Sequence, residues 1–283
     1  MMAFAETKSS RSSLRDTNSP QYKAVEWLAQ EKVDHGSNWS GYELLQRYAL
    51  RVLYHSTVGN NNWGDSATTS LFLPTRVCDW PEVGIHDIYC SGNGQQVDLI
   101  NLADDNLQGT IPDELGHLSA LTVLYLCCNQ ITGTLSSDLG KLTGLIDFDL
   151  GVNELTGTIP SQFGQLTALT RLEFYWNQLT GKIPSQLGQL TSLRRLSLSI
   201  NELTGTVPIS MAQMTNMQYL YLYGNFLVGP VPAQFCAPPF PTWGIDAAFM
   251  ADCISEVACS CCDRCFDTAD RCFVRSGNQF TAC

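Results

Sequence analysis

Between Val97 and Cys236 one 24-residue phrase recurs six times without slipping by a residue. Aligning Leu121, Leu145, Leu169, Leu193 and Met217 brings Asn129, Asn153, Asn177, Asn201 and Asn225 into one column. Gly109, Gly133, Gly157, Gly181, Gly205 and Gly229 fall into a second column. A unit this short cannot bury its own apolar side, so neighbouring units must stack. The chain is thereby confined to rod-like architectures that grow in one dimension.

The phrase L-x-x-L-x-L-x-x-N-x-L-x-G-x-I-P-x-x-L-G-x-L is the signature of a leucine-rich-repeat solenoid. Its inward columns are Val97, Leu121, Leu145, Leu169, Leu193, Met217; Ile100, Leu124, Phe148, Leu172, Leu196, Leu220; and Leu102, Leu126, Leu150, Phe174, Leu198, Leu222. These alternate with outward residues, which predicts short parallel strands on a concave face. The expected fold is an α/β solenoid of six repeats, with a helical N-terminal cap and a cysteine-rich C-terminal cap. Where the chain leaves the strand its backbone groups lose their ladder partners, and a buried amide can both donate to and accept from them. The asparagine column fits that role. Asp105 takes the place in the first copy, and Ser136 replaces the proline of the second.

Four segments follow from this pattern. Residues 1–18 show no apolar periodicity and are expected to be disordered. Residues 19–96 form the N-terminal cap: Ser19-Pro20 reads as a helix start, and Leu45, Tyr48, Ala49, Val52 and Leu53 make a helical stripe that ends before Gly59. Cys78 and Cys90 then close a loop around Trp80 that would shield the first coil. Residues 97–236 are the solenoid and 237–283 the second cap.

The net charge is −11. Between Cys78 and Cys236 there are 5 basic and 14 acidic residues, so the acid belongs to the repeats. Nucleic-acid binding needs basic groups that displace counterions, and anionic membranes repel an acidic rod; neither is an expected partner. Ten of the twelve cysteines cluster at the ends of the repeats: Cys78, Cys90, Cys236, Cys253, Cys259, Cys261, Cys262, Cys265, Cys272 and Cys283. All ten read as cap-disulfide candidates of an oxidising compartment, and Asn38-Trp39-Ser40 is a glycosylation sequon. Zinc ligation by Cys259, Cys261, Cys262 and Cys265 is the competing reading; with no second C-x2-C pair or histidine downstream, no metal and no cofactor are expected. Inside the repeats stand only Cys127 and Cys128; a vicinal disulfide and two thiols packed in the turn are both open. No signal-like apolar run opens the chain, so a truncated start with an anchor or leader upstream is expected. No segment reads as a membrane span.

The phrase Asn153-Glu154-Leu155-Thr156-Gly157-Thr158-Ile159-Pro160 resembles the plant-type extracellular repeats of polygalacturonase inhibitors and receptor-kinase ectodomains. Cys78-Asp79-Trp80 with Cys90 is similar to the N-terminal cap of those families, at longer spacing. The segment Ser19-Pro20-Gln21, the tract QRYALRVLYHSTVGNNNW and the terminal CSCCDRC resemble the leucine-rich-repeat proteins of diatoms, which often carry a membrane anchor. The resemblance implies an extracellular or cell-surface protein, or a membrane-anchored one.

Kinase, P-loop, G-x-S-x-G and H-E-x-x-H motifs are all missing. Acidic pairs such as Asp147 and Asp149 could serve a glycosidase, but on an open sheet they are expected to stay solvated, so no enzyme is expected. The outward columns form a grid suited to recognition. Leu99, Val123, Asp147, Arg171, Arg195 and Tyr219 stand in one; Asn101, Tyr125, Asp149, Glu173, Ser197 and Tyr221 in the next; Ala103, Cys127, Gly151, Tyr175, Ser199 and Tyr223 in the third. Aromatics flanked by Arg and Asp match interface hot spots. The candidate binding residues are therefore Asp147, Asp149, Arg171, Glu173, Tyr175, Trp176, Arg195, Tyr219, Tyr221 and Tyr223, although the last three could instead lie under the C-terminal cap. The expected function is non-catalytic recognition of a protein, peptide or polysaccharide. The alternatives are inhibition of a secreted hydrolase and a structural role in a wall or matrix.

Overall fold

A computed structural model describes residues 1–35, 39–57, 87–91 and 96–229, together with strands 248–252, 264–266, 272–276 and 279–282. Each coil contributes one short strand to a concave sheet: Val97–Asn101, Val123–Tyr125, Asp147–Asp149, Arg171–Glu173, Arg195–Ser197 and Tyr219–Tyr221, all parallel. Asp87–Cys90 adds to one edge antiparallel. At the other edge Ala248–Asp252 pairs parallel with Tyr219–Tyr221, and Arg264–Phe266, Cys272–Ser276 and Gln279–Ala282 continue the sheet. The opposite side carries a second set of parallel strands around the glycine column, Thr156–Thr158, Gln178–Lys182, Glu202–Gly205 and Phe226–Leu227, beside the pair Gln108–Thr110 and Gln130–Thr132.

Of the ten cysteines expected in cap disulfides, Cys90 is disulfide-bonded. Cys265 and Cys272 stand in antiparallel neighbouring strands of the C-terminal cap, Cys265 opposite Phe273 and Cys272 opposite Phe266. Those two are therefore offset by one position and do not face each other in the ladder. Cys78, Cys236, Cys253, Cys259, Cys261, Cys262 and Cys283 lie outside the described residues, as do Trp80 and the Asn38 position of the sequon.

Between the sheets the inward apolar side chains make one continuous core from Ala49 to Leu227. Phe148, Phe163 and Phe174, each fully buried, meet at centroid separations of 5.2–6.0 Å. Each such side chain stabilises by about 1.5–3 kcal/mol relative to exposure, which is how a rod without a centre holds together. The asparagines tie the coils as expected. Asn177 Oδ1 accepts from the Leu155 amide at 3.0 Å, while its Nδ2 donates to the carbonyls of Leu150, Phe174 and Tyr175 at 3.0–3.3 Å. Asn129, Asn153, Asn201 and Asn225 repeat the arrangement. Every asparagine thus serves its own turn and the one before it.

Among the described residues three α-helices precede the rod: α1 (Met2–Ala5), α2 (Pro20–His35) and α3 (Gly41–Thr57). The Ser19 hydroxyl caps α2 by accepting from the Tyr22 amide at 3.0 Å. Helix α3 seals the open end of the rod, with Ala49, Leu50 and Leu53 in the main core. Its buried Gln46 Oε1 accepts from the Val97 amide, tying the helix to the first strand of the rod. The contact is close enough that a Cβ on Gly109, which has a φ of +102°, would lie 2.0 Å from the Ser56 carbonyl oxygen.

Residues 1–18, for which disorder is expected from the sequence, carry the helix Met2–Ala5 and the short turn Ser13–Arg15 in the structure. Ala5 and Leu14 are buried against Ala24, Val25, Leu28, Tyr48 and Val52, and Ser9 hydrogen-bonds both Tyr48 and the buried Glu114. Single apolar residues spaced too widely to show a period are enough to seat a segment on a helix pair already exposing a second apolar face. Among the described residues no helix is long and apolar enough to cross a membrane.

Candidate recognition surface

The strand register sets the outward columns side by side: Asp147 beside Arg171, then Arg195, then Tyr219, and Asp149 beside Glu173, then Ser197, then Tyr221. Parallel neighbours lie about 4.8 Å apart, within reach of long side chains. Arg171 Nη2 reaches Asp149 Oδ2 at 3.0 Å, its Nε reaches Glu173 Oε1 at 3.3 Å, and Nη1 lies 3.7 Å from Asp147 Oδ1. Arg195 Nε donates to the same Glu173 oxygen. The Tyr125 hydroxyl donates to Asp147 Oδ2 at 2.6 Å, and the Gly151 amide to Asp149 Oδ1 at 2.9 Å. Three carboxylates and two guanidiniums thus form one network across three coils.

Solvation departs from expectation. Asp149 is 4% exposed and Glu173 1%, because the two guanidiniums lie over them. Burial pushes the Glu173 carboxyl above the usual carboxylate range, opposed by Arg195 and Arg171. Burial likewise raises Asp149, opposed by the Gly151 amide and Arg171. Burial works against the Arg171 cation, yet Asp147, Asp149 and Glu173 outweigh it and hold its pKa above the ordinary value. Neither Asp149 nor Glu173 presents an open carboxylate to a substrate, so their raised pKa values belong to a covered ion-pair network.

Aromatic rings frame the charges. The Arg195 guanidinium lies 5.6 Å from the Tyr219 ring and 5.3 Å from that of Tyr221, and Arg171 lies 5.8 Å from Tyr125, within cation–π range. Tyr219 and Tyr221 stack at 6.3 Å. Both are partly exposed, and Ala248–Asp252 pairs beside them in the same sheet. The Tyr175 ring lies over Gly151, where a Cβ would sit 2.3 Å from its Cε1; burial, then Asp149, pushes its hydroxyl up to about 12. Trp176 is 60% exposed. Cys127 and Cys128 are free thiols.

Seven of the ten candidate residues stand on adjacent concave strands, Asp149 and Glu173 buried beneath the arginines, while Tyr175, Trp176 and Tyr223 follow just beyond the strand ends. Sequence reasoning passed over Tyr125 and Gly151, although both stand in the outward columns. A lone glycine in a column of side chains was the available signal for a seated ring.

The Leucine Rich Repeat family matches residues 120–142 and 168–190, and no curated protein matches the sequence. Among solved structures the chain is similar to PEPR1 in the PEPR1–AtPEP1 structure, with 25% identity and a TM-score of 0.63 over 75% of this chain and 28% of that one. It is similar also to the Arabidopsis receptor kinase HAESA, solved with the peptide hormone IDA and the co-receptor SERK1, at 25% identity and a TM-score of 0.60 over 78% of this chain and 38% of that one. A plant ice-binding protein shares 29% identity and a TM-score of 0.56 over 68% of this chain and 58% of that one. The chain thus spans about a quarter of the PEPR1 chain and two fifths of the HAESA chain.

Proposed function

We propose that the protein is an exported, non-catalytic recognition module that binds a peptide or protein segment on its concave face. The observation that carries this reading is the Asp147–Asp149–Arg171–Glu173–Arg195 network, held in fixed geometry and bordered by partly exposed tyrosines. Preorganised charges cost little further ordering on binding, and Tyr and Arg supply most hot-spot contacts. Similarity to ectodomains solved with a peptide hormone supports the same reading. Replacing Tyr219 and Tyr221 together by serine is expected to cut retention of a secreted partner on the immobilised protein by roughly tenfold or more, with the melting temperature little changed. Undiminished retention would contradict the reading.

A second reading has its own observation on the opposite sheet. Thr132, Thr156, Thr180 and Thr204 recur there at one position of the repeat, and Thr110, Thr134, Thr158 and Thr206 at another that Lys182 interrupts; the ladder sets Thr110 beside Thr132, Thr134 beside Thr156 and Thr158 beside Thr180. All are exposed except the half-buried Thr180. The Thr110, Thr134 and Thr158 methyls pack over Gly133, Gly157 and Gly181, and Lys182 takes the same place over Gly205. Hydroxyls and methyls in such rows suit an ordered water lattice, as the likeness to a plant ice-binding protein suggests. The wild type should then slow ice recrystallisation, and Thr134→Lys with Thr156→Lys should abolish the effect. Ice grains that coarsen equally with and without the wild-type protein would rule this reading out.

A further inference from the structure

Among the described residues Cys127 and Cys128 are free thiols, and neither the core nor the concave ion-pair network uses them. Cys127 is half-buried and Cys128 exposed. The peptide unit that joins them is held from both sides. The Cys127 carbonyl accepts from the Asp104 amide of the preceding coil at 3.1 Å and from Asn129 Nδ2 at 3.0 Å. The Cys128 amide donates to the Gly151 carbonyl of the next coil at 2.9 Å.

That clamp decides between the two oxidised states open to neighbouring thiols. Consecutive Cα atoms stand about 3.8 Å apart across a trans peptide, short of the roughly 4.4–6.8 Å that disulfides span. Closing a ring between Cys127 and Cys128 therefore means distorting the one peptide unit that both neighbouring coils hold. The thiols also differ in readiness. Thiolate is the attacking form, and burial, then Asp149 and Cys128, pushes the Cys127 thiol up to about 12. Cys127 is thus protonated near neutral pH, and Cys128 is the member of the pair that a reagent can reach.

We propose that Cys128 is a site of lasting S-thiolation, where a low-molecular-weight disulfide places one thiol group that Cys127 does not release. The Cys128 thiolate attacks one sulfur of R–S–S–R, and a Cys128–S–S–R bond forms. The original S–S bond breaks, and the second R–S⁻ leaves with its electron pair and takes up the proton that Cys128 gave to water. Release would require Cys127 to attack the Cys128 sulfur and close the ring that the clamped peptide opposes. The added group stands at the rim of the concave face, near Tyr175, whose hydroxyl both thiols influence.

The test incubates the full chain with oxidised glutathione, alkylates the remaining thiols and locates both groups from fragment spectra of the peptide that carries the pair. One glutathionyl group on Cys128 and an alkylated Cys127 are the expected result. Cys128→Ser should lower the adduct at the pair roughly tenfold or more, whereas Cys127→Ser should leave its yield and lifetime within about twofold of wild type. A Cys127–Cys128 ring disulfide, an adduct on Cys127, or no adduct at the pair would overturn the assignment, and the wild-type map alone decides among these. An adduct that lasts more than about twofold longer in Cys127→Ser would overturn it too, because Cys127 would then be the group that releases it.

Discussion

Replacing Asn177 by alanine should lower the unfolding free energy by roughly 4 kcal/mol, from three or four buried backbone groups left without partners at about 1–3 kcal/mol each, partly relieved by relaxation. Asn177 is 7% exposed, and its amide joins the coil that contains Leu155 to the one that contains Tyr175. In a stack whose stability is a sum of nearest-neighbour interfaces, such a loss weakens one joint rather than the whole. Equilibrium denaturation should therefore become broader as well as less stable, splitting the rod near its middle. A change below about 1 kcal/mol would mean that water replaces the amide without cost, and that the column is not what ties the coils.

The second large effect belongs to Arg171. Its removal in Arg171→Ala leaves Asp149 and Glu173 buried with one cation between them. Breaking a buried pair costs about 3–5 kcal/mol, but the Arg171 side chain is 36% exposed, so screening reduces the expected loss to about 2–3 kcal/mol near neutral pH. The pH dependence follows from the direction of the shifts. Asp149 and Glu173 titrate above their unfolded values of about 4, so in that window the folded chain binds more protons than the unfolded one. Stability contributed by their protonation is present at low pH and is lost as pH rises through the folded pKa values. Arg171→Ala raises those values further, so the gap between variant and wild type should narrow from about pH 7.5 to about pH 5. Urea denaturation at both pH values checks this, and a gap independent of pH would show that the lost free energy is packing and not charge.

Much of the molecule was legible in the 24-residue column pattern because each column has a single physical duty. Leu172 had to face inward, Asn177 had to serve two turns, and Glu173 had to face the concave side. What the columns could not show was reach across them. Whether Asp149 stays solvated depends on Arg171, one coil away and 22 residues later, folding back over it; the sequence expectation of a solvated carboxylate failed for that reason. The left-handed backbone just beyond each concave strand was hidden because Val152 and Ile200 are the residues least suited to positive φ, so residue type pointed away from the conformation that the ladder imposes. The N-terminal segment was hidden because Ala5 and Leu14 contribute one buried side chain each, too few to make a period.

Recognition requires that the concave face be where a partner is held. The most direct measurement places a photo-cross-linking side chain at Tyr221, on that face, and in a second protein at Thr156, on the opposite sheet. Each is irradiated with secreted protein from the source organism, and the adducts are identified by mass spectrometry. A discrete adduct from position 221, competed away by excess unlabelled protein and not formed from position 156, is the predicted result. Adducts from position 156 alone, or from neither position, would contradict it.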